Sequence, residues 1–90
     1  MQKSFKRHGD AGHGWISVKI SLLEKLNIAT DISPYSYMRG DTAYLEEDAD
    51  ATLFYYSYMK MFGSVPNVVE SQYRPSQHWV RNLSSYEYTK

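Results

Sequence analysis

Ala51, Phe54, Tyr55, Tyr58, Met59 and Phe62 recur at i, i+3, i+4, i+7, i+8 and i+11. That spacing predicts a helix over residues 49–62 with one continuous apolar stripe. Asp48 or Asp50 suits its N-cap and Gly63 its C-terminal cap. A helix of this kind is stable only when the stripe is buried against a second layer, so the rest of the chain must supply one. Its opposite side carries Leu53, Tyr56 and Met61 beside Lys60, which is less polar than a solvated face should be. Either the helix is covered on two sides or its outer face is a contact surface.

The second layer is legible as strands. Residues 15–20 alternate, with Ile16, Val18 and Ile20 on one side and Trp15, Ser17 and Lys19 on the other. Ser21 and Glu24 then fit a capping box that opens a short helix bearing Leu22, Leu23 and Leu26, ending near Asn27. Residues 30–34 read as a loop, in which Pro34 biases Ser33 towards extended geometry. Residues 35–38 and 42–46 read as a hairpin turning at Arg39-Gly40-Asp41. That tripeptide also spells an adhesion motif, but a plain turn is the reading adopted. Residues 68–74 form a further strand ended by Pro75, and residues 79–83 a last short one. The order β-α-β-β-α-β predicts an α+β domain, a mostly antiparallel sheet with two helices on one face. It resembles the split arrangement of ferredoxin-like folds. Residues 1–12, with Lys3, Lys6, Arg7 and His8, read as a flexible basic arm and loop, and residues 84–90 as a polar tail.

Composition narrows the function. Ninety residues fit one domain, and 42% hydrophobic with 22% charged residues is globular rather than disordered. Ten Lys and Arg balance ten Asp and Glu, which argues against a purely electrostatic nucleic-acid binder. The absence of cysteine excludes disulfides, thiolate metal sites and a cysteine nucleophile. No apolar run approaches the ~20 residues that span a bilayer, and no signal peptide is recognisable, so a cytoplasmic protein is expected. Nine Tyr, three Phe and two Trp are too many to hide where only about 60% of the unfolded surface is buried. Some must lie at the surface, where Tyr and Trp favour interfaces.

Three clusters have chemical potential. His8, Asp10 and His13 lie in a glycine-containing segment and are weak metal candidates. Glu46, Glu47, Asp48 and Asp50 sit at a helix N-terminus, where carboxylates are favoured on electrostatic grounds; they would also suit a divalent cation or a basic partner. Tyr73, Arg74, His78, Trp79 and Arg81 interleave bases with aromatics, a pattern that suits single-stranded nucleic acid. No nucleophile elbow and no phosphate-cradling glycine loop occur.

Gly12-His13-Gly14-Trp15, Ile32-Ser33, Tyr35-Ser36-Tyr37 and Tyr44 through Asp50 together resemble a group of small uncharacterised proteins of bacteriophages and plasmids. The resemblance covers about residues 8–62. In that group the position of Ala49 is often Cys, so no thiol role transfers. What the resemblance implies is an accessory protein of a mobile element that acts inside a bacterial cell by binding a host protein. The expectation is therefore a non-enzymatic interaction protein without a cofactor, which modulates or inhibits a host bacterial protein. The expected partner surface is Glu46, Glu47, Asp48, Asp50, Leu53, Tyr56 and Trp15, and a homodimer could form through the aromatic helix. The alternative is a small nucleic-acid or nucleotide binder using Tyr73, Arg74, Trp79 and Arg81. A metal-dependent hydrolase on His8, Asp10, His13 and Asp48 ranks last. The matched segments are also expected to meet at one sheet edge, with the His13 imidazole facing carboxylates that would raise its pKa.

Overall fold

The computed structural model describes residues 4–74 and 79–89, and only the backbone of 71–74. The elements in chain order are β1 (Phe5–Asp10), β2 (Gly14–Lys19), α1 (Ile20–Lys25), β3 (Tyr37–Arg39), β4 (Thr42–Glu46), α2 (Ala49–Phe62), β5 (Val68–Arg74), a 3-10 turn (Trp79–Asn82) and β6 (Ser84–Ser85). The strands form one mixed sheet in the order β5-β1-β2-β4-β3-β6. Every neighbouring pair is antiparallel except β1 with β5. The chain is thus α+β, as the periodicities predict.

The element order differs from the expected one at the beginning. The segment read as a flexible arm contains β1, which lies inside the sheet with ladders to β2 and β5. Phe5 is its only large apolar residue, so no alternation marks it. Its strand conformation comes from two neighbours that satisfy its backbone on both sides. With β1 added, the order is no longer the split arrangement of ferredoxin-like folds.

Smaller departures follow from tertiary contacts. Helix α1 starts at Ile20, one residue before the expected cap, and Lys19 at its N-cap makes no side-chain cap bond. The Ile20 N–H donates instead to the Asp41 carbonyl at 2.8 Å. The last expected strand is a 3-10 turn followed by the two-residue β6. The polar tail is partly structural, because Tyr86 is buried and its Oη donates to the Ala29 carbonyl at 2.6 Å. Pro75 and His78 lie outside the described residues. Two glycines act as expected: Gly63 closes the C-terminal end of α2 at φ 76°, and Gly40 turns the hairpin at φ 61°.

Alternation along the strands divides the interior in two. Phe5, Ile16, Val18, Ala43 and Leu45 share one apolar cluster with Leu22 and Leu23 of α1 and Ala51, Phe54 and Tyr58 of α2. Phe5 meets Phe54 and Tyr58 edge-on, with ring centroids 5.1 and 5.7 Å apart. The alternate residues Trp15 and Tyr44 point away from this cluster and build a second, smaller one with Val80 of the 3-10 turn. Met59, placed in the helix stripe by its spacing, is exposed instead.

Candidate functional site

The residues of the resembling motifs converge at one end of the sheet, where the β1–β2 loop and the end of β4 lie side by side. Trp15 and Glu46 are directly opposite across β2 and β4. Most of these residues hold the fold together. Asp50, buried on the first turn of α2, accepts hydrogen bonds from the Ser33 N–H at 3.1 Å, the Ser33 Oγ at 2.6 Å and the Ser36 Oγ at 2.5 Å. Ser36 Oγ in turn accepts the Glu46 N–H at 2.9 Å. One carboxylate therefore ties the 33–36 loop to the helix and the loop hydroxyl to β4. Asp50 is not available to a partner, contrary to its place in the expected surface.

The other acids are dispersed too. Glu46 Oε1 accepts the N–H groups of Asp48 and Ala49 at 2.7 and 3.1 Å, so Glu46 is the side chain that caps α2, where Asp48 or Asp50 was expected to. Glu47 pairs with Arg7 at 3.2 Å, and Asp41 with Lys19 at 3.2 Å. The Lys19 ammonium, together with the Thr42 hydroxyl, holds the Asp41 pKa below the usual carboxylate value. Gly14 makes room for one of these pairs: a Cβ there would lie 2.6 Å from Arg7 Nη2 and 2.7 Å from Glu47 Oε2. The run of acids is thus not one patch. Glu46 and Glu47, adjacent in sequence, serve opposite sides of the sheet.

The metal and nucleic-acid candidates are joined in a way the sequence does not suggest. Asp10 Oδ1 accepts the backbone N–H groups of Gly12 and His13, each at 2.9 Å. Both of its oxygens also receive Arg81, from Nε at 2.7 Å and from Nη2 at 3.0 Å. This pairing raises the Arg81 pKa further. The Arg81 guanidinium lies 5.1 Å from the Trp15 ring centre, and the Arg39 guanidinium 5.1 Å from that of Trp79. The His8 ring packs edge-on against Tyr44 and Trp79. His13 reaches Asp10 through its backbone N–H, not its imidazole, and its exposed ring lies near Trp15. Among the described residues no three His, Asp or Glu side chains gather as metal ligands would. Trp79 and Arg81 are engaged within the fold, and the side chains of Tyr73 and Arg74 lie outside the described residues.

Among the several clefts and exposed faces of the described residues, two bear on binding. A cleft of about 170 Å³ is lined by His13, Trp15, Tyr35, Tyr37, Glu46 and Arg81. Trp15, itself buried, forms a wall of this cleft. The second feature is the outer side of α2, where Tyr56 is 67% exposed and Met59 44%; Met61, on another side of the last turn, is 49% exposed and Val65 beyond the helix 64%. Leu53, expected on that surface, packs partly against the core. The sequence reading missed Tyr35, Tyr37, Met59 and Val65 as surface elements. The one available signal was Pro34, which sets Tyr35 off from the strand that follows.

No protein-family model matches the chain, and no curated protein or solved structure does. Among the described residues no helix is long and apolar enough to cross a membrane.

Proposed function

We propose that the chain is a non-enzymatic interaction protein of a phage or plasmid, which acts in the cytoplasm of a bacterial host by binding and modulating a host protein. The observation that carries this reading is the outer side of α2. Between Ala51 and Val65 the only charged residue is Lys60, yet Tyr56, Met59, Met61 and Val65 face solvent. Exposed Tyr and Met are characteristic of contact surfaces: Tyr offers a large area at low entropic cost, and Met adapts its shape to a partner. The acids assigned to the partner surface by sequence are mostly occupied within the fold, so this reading rests on apolar contact. The mobile-element context comes from the resemblance alone. The engaged states of Trp79 and Arg81 give no added weight to the nucleic-acid alternative.

The test is capture of partners from nuclease-treated bacterial lysate by the tagged chain, beside Tyr56→Ala and Met59→Ser. The expected result is one stoichiometric protein, lost in both variants while their melting temperatures match the parent. Self-association through α2, seen by light scattering and removed by the same variants, would replace the host partner with a second copy. Recovery of nucleic acid alone, with binding that falls steeply as salt is added, would overturn the reading.

A further inference from the structure

The cleft at the sheet end has a composition that selects a ligand. Three of its six lining residues are aromatic, Trp15, Tyr35 and Tyr37, and Glu46 supplies a carboxylate. Trp15 and Tyr37 stand edge-to-face at 6.1 Å, and Tyr35 is 78% exposed and forms the outer wall. The Arg81 charge within the cleft is offset by its two-point pair with Asp10. Glu46 uses one oxygen to cap α2, and a carboxylate has capacity for further donors.

We infer that this cleft receives an arginine side chain of the partner protein, an assignment that rests on the proposed reading of the chain as a protein-binding module. Aromatic faces attract cations, most strongly where water is partly excluded. A planar guanidinium also stacks on rings while pairing with a carboxylate, which an ammonium does less well. The Arg81 guanidinium already lies over buried Trp15 at 5.1 Å, so the rings open to a guest are those of Tyr35 and Tyr37. Size points the same way. About 170 Å³ is well below the roughly 300–1,000 Å³ of drug-sized ligand pockets, and suits a single side chain. Charge works against a phosphate or carboxylate guest, because Arg81 is paired with Asp10 and the Glu46 carboxylate would repel the ligand, although the His13 ring also lines the cleft.

The test uses the whole chain and N-acetyl-arginine amide as the probe, followed by NMR at the Trp15 indole N–H. The expected result is a saturable shift. The neutral isostere N-acetyl-citrulline amide should bind at least about tenfold more weakly, since it loses both the cation–π and the carboxylate attraction. Glu46→Gln, which keeps an oxygen for the helix cap, should weaken arginine binding to a similar degree, and Tyr35→Ala should weaken it less. Equal binding of arginine and citrulline probes would overturn the inference, as would preferential binding of N-acetyl-aspartate amide or no saturable shift. A partner captured through Tyr56 while the arginine probe fails removes the cleft assignment and leaves the module. A probe that binds while no Tyr56-dependent partner exists removes the module and leaves a cation site.

Discussion

On the side of the sheet that meets the helices, Phe5, Ile16, Val18, Ala43 and Leu45 pack against α1 and α2 through apolar contact. On the other side, Trp15, Tyr44 and Val80 form the buried apolar cluster among the described residues, and buried His8 and Asp10 and charged groups are set among the rings. Arg39 and Arg81 lie over Trp79 and Trp15, and Asp10 anchors Arg81. The first side is held by area and shape. The second buries too little to hold a short 3-10 segment by area alone, and adds an ion pair and cation–π contacts. The two sides should therefore fail separately and under different insults.

The largest effect is expected from Phe54→Ala. Phe54 is fully buried between Phe5 and Tyr58, and its loss should lower unfolding free energy by about 3–5 kcal/mol in urea denaturation. Amides throughout the sheet should lose protection together. Asp50→Ala comes next, at about 2–4 kcal/mol, because the Ser33 N–H and two hydroxyls lose their acceptor in a buried setting. If Asp50→Ala proves neutral, the polar hub does not couple the 33–36 loop to α2. Asp10→Ala should cost about 1–3 kcal/mol, less than a fully buried pair because Arg81 is partly exposed. Its distinguishing sign is local: hydrogen exchange should accelerate in residues 79–82 and 10–13 while α2 keeps its protection. Uniform acceleration would show that the two sides unfold as one unit.

The smallest effect concerns pH. Burial is the main cause of the Tyr86 phenol pKa being pushed up from 10 to about 12, reinforced by the charges of Tyr88, Glu24 and Asp50. The unfolded chain ionises first on raising the pH. The stability linked to neutral Tyr86 is therefore complete below pH 10 and lost as pH rises towards 12. Tyr86→Phe should cost about 1 kcal/mol at neutral pH through the lost bond to Ala29 and should flatten the alkaline decline. An unchanged alkaline slope would assign the decline to other groups.

Legibility followed the strength of local pattern. Helix α2, strand β2 and the hairpin strands were readable because their apolar residues recur with periods of 3.6 or 2. Strand β1 was not, since Phe5 is its lone apolar signal and its polar residues are accommodated by two flanking strands. Asp50 looked like a solvent-facing acid at a helix start, because nothing in a linear reading places Ser33 and Ser36 beneath it. Asp10 and Arg81 lie at opposite ends of the chain, so their pairing had no local trace. The matched segments do lie side by side, through the Trp15–Glu46 register of β2 and β4, but in the middle of the sheet rather than at the expected edge, and the His13 backbone N–H donates to Asp10 within its own loop.

Sequence by itself determined the element types with strong periodicity, the α+β class and an aromatic load too large to bury. It did so because periodic burial and turn chemistry act over a few residues. Only the tertiary structure decided which charges are spent inside the fold and which surface is left over. β4 ends at Glu46 and α2 begins at Ala49, so the run from Glu46 to Asp50 crosses a strand end, a turn and a helix start and becomes a cap, an ion pair, one exposed acid and a buried hub. Helical periodicity leaves the outer side of α2, and strand alternation the Trp15 cleft, as the exposed features on which the proposed binding rests.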